Sequence, residues 1–195
     1  MRSKKLTVPL TNHYYVLRHA QTEANKNMVY AGRLNSQLTT AGIDETKKIT
    51  LSFQPDFVFS SPLDRAHDTA KIILGSKTHI ELDERLIEKD GGLIQNLTYS
   101  EIAIKFPDVW NIWETHTLDE IQQSRFPEGE SDSDVVKRIE NFLEEKERLY
   151  KNKNILLVTH AGVLLAMRYL FGYPKEEIYL KPTKNSFVEA FLPSH

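Results

Sequence analysis

Apolar residues fall in short unbroken runs separated by longer amphipathic stretches. Tyr14-Tyr15-Val16-Leu17 has the length of a strand buried on both faces and stops at Arg18-His19. A polar segment with Gly32 and Asn35 follows, and Leu38-Thr39-Thr40-Ala41-Gly42 opens a helix. Asp56-Phe57-Val58-Phe59 reads as a second strand; Pro62 suits the first turn of the next helix, with Ser61 before it as cap. That helix runs to about Leu74, where Gly75 stops it, and Thr78–Leu82 predicts a short strand. Ser131 begins a long charged helix through about Tyr150. Ile155-Leu156-Leu157-Val158 is the clearest buried strand, followed by Thr159-His160-Ala161-Gly162 and an apolar helix, Val163–Phe171, which Gly172 and Pro174 close. Ser186–Leu192 is a last strand, and residues 1–12 read as a polar lead-in. Strands alternating with helices predict a layered α/β domain with a largely parallel sheet.

The chain's 195 residues suggest one domain, and a chain of that size buries roughly 70% of its unfolded surface. A net charge of -2 gives no global basic field, so nucleic acid is not the expected partner and any anionic ligand must be held by a few local cations. Cysteine is absent, which excludes a disulfide framework, a thiolate nucleophile, a zinc ribbon and iron–sulfur ligation; this suits the cytoplasm. No apolar segment follows the basic Arg2, Lys4 and Lys5, so no signal peptide is expected, and the apolar runs are too short to span a membrane. No Walker A sequence, His-Glu-x-x-His pair or calcium loop occurs, and no metal is expected.

In open α/β sheets, ligands collect beyond the carboxyl ends of the strands. Here one strand ends in Arg18-His19 and another in Thr159-His160. A third ends in Ser60-Ser61-Pro62, with Arg65 one turn into the following helix. A single histidine after a strand is usually a satisfied edge residue, and a single arginine in a first turn is usually a surface ion-pair partner. Three strand ends with matched chemistry point instead to two imidazoles and two guanidiniums gathered around one point.

The segment Arg18-His19-Ala20-Gln21-Thr22-Glu23-Ala24-Asn25 resembles the signature of the histidine phosphatase superfamily, in its phosphoglycerate-mutase-like branch. The resemblance continues through Leu38–Gly42, Ser60–Ala70, Leu86-Ile87-Glu88, Pro127–Ser131 and Val158–Gly162, in the family's order. It implies a three-layer α/β/α sandwich with a mainly parallel central sheet, one domain over residues 1–195, and a cap formed by residues from about 90 to 130. It also implies a metal-independent phosphatase that hydrolyses a small phosphomonoester through a phosphohistidine on His19. In this reading Arg18 and Arg65 clamp the phosphoryl oxygens as planar charged forks, and His160 completes the clamp. The Gly162 turn adds backbone N–H groups at a helix N-terminus. Asn25 and Gln21 shape the pocket. Glu88 supplies the proton to the leaving alkoxide, with Asp83, Glu84 and Asp90 as nearby competitors.

The chain departs from the family at Asp90–Asn96, where a Phe-Gly-x-x-Glu-Gly element is frequent, and at Ala20, where glycine is common. The segment 97–126 is rich in aromatics, among them Tyr99, Phe106, Trp110 and Trp113, which read first as the core of the cap. Lys105, His116 and Arg125 could meet a second anionic group on a substrate. The mutases of the family are longer and carry a cationic insertion that is not evident here, which favours a phosphatase. The partner expected is a small phosphorylated metabolite, with no cofactor. A phosphoglycerate-type mutase and a non-catalytic phospho-ligand module are the alternatives, and a binder would not need both a nucleophile and an acid.

Overall fold

The computed structural model describes residues 6, 8–115, 124–179 and 181–193. Five strands form one sheet: β1 (His13–Arg18), β2 (Phe57–Ser60), β3 (Glu81–Leu82), β4 (Asn154–Thr159) and β5 (Val188–Phe191), in the order β3-β2-β4-β1-β5. β1, β2, β3 and β4 run parallel, with Val16 opposite Leu157 and Phe59 opposite that same leucine from the other side. β5 joins the β1 edge antiparallel.

Alternation along the strands divides the core. Tyr14, Val16, Phe59, Ile155 and Leu157 pack toward α6 (Asp132–Leu149) and α7 (Ala161–Leu170), while Leu17, Val58, Leu156 and Val158 pack toward Ala66 and Ala70 of α3 (Asp64–Leu74). Helices thus cover both faces, and the architecture is a three-layer sandwich with a mainly parallel sheet. The remaining helices are α1 (Glu23–Lys26), α2 (Thr40–Thr46), α4 (Tyr99–Lys105), α5 (Pro107–Thr115) and α8 (Lys175–Tyr179). No helix among the described residues is long and apolar enough to cross a membrane.

Several boundaries follow local chemistry. Ser131 caps α6 in a reciprocal box with Asp134, and Gly75 ends α3 at a positive φ of 81°. The start of α3 differs from expectation. The helix begins at Asp64, its N-cap is Leu63, and no side chain caps it. The Ser61 N–H instead donates to Val158 O at 3.0 Å and prolongs the ladder, which keeps this residue before Pro62 extended. The predicted strand at Thr78–Leu82 shrinks to Glu81–Leu82, the residues that pair with Phe59 and Ser60.

The polar lead-in is also anchored. The backbone N–H groups of Thr11 and Asn12 and the Tyr14 hydroxyl all donate to the Glu147 carboxylate on α6, at 2.9–3.1 Å. Between β3 and α6, Ile94, Ile102 and Phe126 form a separate small core with Tyr30, Tyr99 and Trp113 around them. That core sits beside the carboxyl ends of the strands, through an isolated bridge between Val29 and Thr98.

Candidate active site

His19 follows β1, and its N–H donates to Thr159 O at 2.9 Å, which ties the carboxyl ends of β1 and β4 together. Its ring is almost fully buried, and Nδ1 lies 2.7 Å from the carbonyl oxygen of Ala20. A carbonyl only accepts, so Nδ1 carries the proton and Nε2 keeps a lone pair. Ala20 is itself held: its N–H donates to Thr69 Oγ1 at 2.9 Å, and Asn185 donates to the His19 carbonyl at 2.8 Å. Burial, with Arg65 and Arg18 nearby, holds the His19 imidazole well below the usual histidine range, so it is neutral at physiological pH.

His160 lies beside it, the two ring centroids 5.1 Å apart. Its Nε2 is 2.7 Å from Ser61 Oγ, and its Nδ1 is buried with no partner among the described residues. Burial, then Arg65, His19 and Arg18, keep this imidazole neutral as well.

Arg65 is aimed by two carbonyls of the loop before α2: it donates to Gly32 O at 2.5 Å and to Leu34 O at 2.8 Å. Arg18 donates through Nη1 to Thr183 O, and its Nε is buried without a partner among the described residues. Burial lowers both guanidinium pKa values, yet each stays charged.

Glu88 follows the short 3₁₀ turn Glu84–Leu86. Its Oε1 accepts the N–H of Gly162 at 3.0 Å and that of Lys89 at 2.8 Å. The Gly162 amide, expected to face phosphate, is therefore spent on this carboxylate. The competing acids point elsewhere. Asp83 binds Arg85, Asp90 accepts from Gly92 N–H and pairs with Arg33, and Glu84 is exposed.

Arg18, His19, Asn25, Arg65, Glu88 and Gly162 line one cavity of about 280 Å³; His160 is fully buried beside His19 and is not among the lining residues. Asn25 stands at the wall while its Oδ1 accepts from Thr22 N–H and from Asn185. Gln21 turns away to accept from Thr39. Lys105 and Arg125 are exposed, pair with Glu101 and Asp134, and stay outside the cavity; His116 lies outside the described residues. Tyr99 and Trp113 reach the wall, whereas Phe106 packs against the small core of Ile94, Ile102 and Phe126.

Sequence reading missed Tyr30, Lys89, Asp132 and Tyr179 in the wall and Ser61 behind His160. Nothing in their spacing marks them, because they come from separate loops and helices. Among the described residues, no three His, Cys, Asp or Glu side chains gather as a metal site.

A family model described as the histidine phosphatase superfamily (branch 1) matches residues 14–189. Phosphoserine phosphatase 1 of Hydrogenobacter thermophilus is 30% identical over 156 residues, covering 78% of this chain and 72% of that protein. The 2,3-bisphosphoglycerate-dependent phosphoglycerate mutase of Borreliella burgdorferi is 28% identical over 198 residues, covering 85% of this chain and 80% of that one. The structure of a mycobacterial glucosyl-3-phosphoglycerate phosphatase with VO3 superposes with a TM-score of 0.79 at 25% identity, over 91% of each chain. Sheet order, the paired imidazoles at the strand ends and these likenesses agree, and the chain belongs to branch 1 of the histidine phosphatase superfamily.

Proposed function

We propose that this protein is a phosphomonoesterase that hydrolyses a small phosphorylated metabolite through a phosphohistidine on His19. The observation that carries this reading is the 2.7 Å bond from His19 Nδ1–H to the Ala20 carbonyl, in a ring that burial keeps neutral. It leaves Nε2 as a nucleophile that needs no general base. Nε2 attacks phosphorus in line, and the bond from phosphorus to the ester oxygen breaks. Glu88 enters this step protonated on Oε2, the carboxyl oxygen with no partner among the described residues, and gives that proton to the departing oxygen, becoming the carboxylate. Water then attacks the phosphoryl group as the Glu88 carboxylate takes its proton. The P–N bond breaks, the electron pair returns to Nε2, and phosphate leaves.

Arg18 and Arg65 stabilise the charge on the equatorial oxygens. His160 Nε2 is held at 2.7 Å by Ser61 Oγ, and its Nδ1 has no partner among the described residues; with Ser61 as the donor in that bond, the single imidazole proton sits on Nδ1, where it serves a phosphoryl oxygen. The relatives named as phosphatases support hydrolysis. The likeness to a phosphoglycerate mutase keeps a second reading, distinguished by dependence on a bisphosphorylated primer. The cysteine-free composition suits the cytoplasm.

Rapid quench during turnover should trap an acid-labile, base-stable phosphoryl group on the protein. His19→Ala should remove both the adduct and nearly all turnover, and activity should persist in EDTA. An unaltered adduct in His19→Ala, or activity that EDTA abolishes and magnesium or zinc restores, counts against the proposal.

A further inference from the structure

Beyond its phosphoryl end, the cavity changes character. Tyr30, Tyr99 and Phe126 surround Trp113, with ring centroids at 5.9, 6.1 and 5.6 Å, and all four rings line the wall; Leu165 of α7 also lines it. Trp113 meets Tyr99 and Phe126 edge to face and Tyr30 at 28° from parallel, so the rings hold one another in place and form a rigid aromatic wall. These residues serve as the cap's core and as the cavity's surface at once.

The charges there are already matched. Lys89, almost fully buried, places Nζ 2.8 Å from Asp132 Oδ1 and 3.8 Å from the centre of the Phe126 ring. Among the described residues the other cations of the wall are Arg18 and Arg65, both at the phosphoryl end. A substrate with a second anionic group would meet the Asp132 carboxylate. It would also have to draw Lys89 out of a buried pair, which is costly because the partner is left uncompensated.

We propose that the cavity takes a phosphomonoester whose alcohol carries a flat, uncharged aromatic group rather than a second anionic group. This rests on the assignment of Arg18, His19 and Arg65 to the phosphoryl group. It narrows the substrate to aryl and arylalkyl phosphates, and it disfavours phosphorylated hydroxy acids.

Binding of non-hydrolysable phosphonates, measured by calorimetry, separates this inference from the catalytic one. Phenylpropylphosphonate should bind about 10- to 100-fold more tightly than propylphosphonate, the scale of burying one aromatic ring. It should also bind more tightly than phosphonobutyrate or the phosphonate isostere of phosphoserine. Trp113→Ala should bring the aryl and propyl compounds within about threefold of each other. Leu165→Gln, which alters the wall without touching the cap core, should shift the balance in the same direction and decides the matter if Trp113→Ala does not fold.

The inference is overturned if either carboxylate compound binds as tightly as the aryl one, if the aryl preference survives both substitutions, or if none of the phosphonates binds. Failure to turn over any phosphate ester, with the aryl preference intact, would defeat the phosphatase reading and leave this one standing.

Discussion

Gly162 acts through the atom it lacks. A Cβ at this position would stand 2.5 Å from Glu88 Oε1, the oxygen held by the Gly162 and Lys89 amides. The crowded atom is the end of a flexible side chain and Lys89 Cβ, at 3.3 Å, has to give only slightly, so the fold can absorb Gly162→Ala. The carboxyl, however, must leave its two donors. Gly162→Ala should therefore leave the melting temperature nearly unchanged while kcat/KM on alkyl phosphates falls by about 10- to 100-fold. Unchanged activity would show that the anchoring of Glu88 is irrelevant to the reaction. Glu88→Gln should slow release of a poor alkoxide by about 10²–10⁴-fold. It should affect adduct formation from p-nitrophenyl phosphate far less, because that leaving group needs little protonation. Equal losses with both leaving groups would remove Glu88 from the role of acid.

At the scale of elements, β5 is held to the sandwich by more than its ladder to β1. Arg168 of α7 is fully buried and binds the Glu189 carboxylate of β5 through Nε at 3.1 Å and Nη2 at 2.7 Å. Its Nη1 donates to the carbonyls of Ile178 and Lys181 at 3.2 and 2.9 Å, so one guanidinium joins α7, α8, the segment after it and the edge strand. Burial by itself would push the Glu189 carboxyl up; Arg168 outweighs that and holds it below the usual carboxylate range. Arg168→Met should cost about 3 kcal/mol in urea unfolding, because it leaves a buried carboxylate with only Lys181 Nζ, at 3.4 Å, as a partner. Replacing both residues, Arg168→Met with Glu189→Leu, should recover most of that loss. A double variant as unstable as the single one would mean that the carbonyl bonds, rather than the ion pair, dominate.

For the whole molecule, two neutral imidazoles buried at one point link folding to pH. Both His19 and His160 are held well below the usual histidine range, chiefly by burial and then by the neighbouring arginines. In the unfolded chain each titrates near 6.5. Below that pH the unfolded state binds more protons than the folded one, so folding stability falls as pH drops. The slope approaches ~1.4 kcal/mol per pH unit for each histidine. Between about pH 6 and 5, before unfolded carboxylates titrate, the pair should account for roughly 2–3 kcal/mol. Urea unfolding across this range measures the slope, and His19→Asn with His160→Asn should flatten it. A wild-type profile that is flat from pH 7 to 5 would show that the imidazoles titrate freely in the folded protein.

What could be read from the sequence was local. β1 and β4 announced themselves as unbroken apolar runs, the start of α6 by Ser131, and the end of α3 by Gly75. His19, Arg18, Arg65 and His160 were legible because parallel strands end on one side of a sheet, so residues just past those ends share a neighbourhood. The tertiary structure alone decided where polar groups found their partners. Glu147 takes the amides of Thr11 and Asn12 from 136 and 135 residues away, and Asn185 pins the His19 carbonyl from 166. Lys89 finds Asp132, the Gly162 amide turns to Glu88, and the Ser61 amide stays in the sheet rather than serving the helix after it. A buried apolar run has one way to leave water and so carries its signal in its own sequence. A polar side chain can be satisfied by water, by its own backbone or by a distant residue, and only the packed chain selects among them.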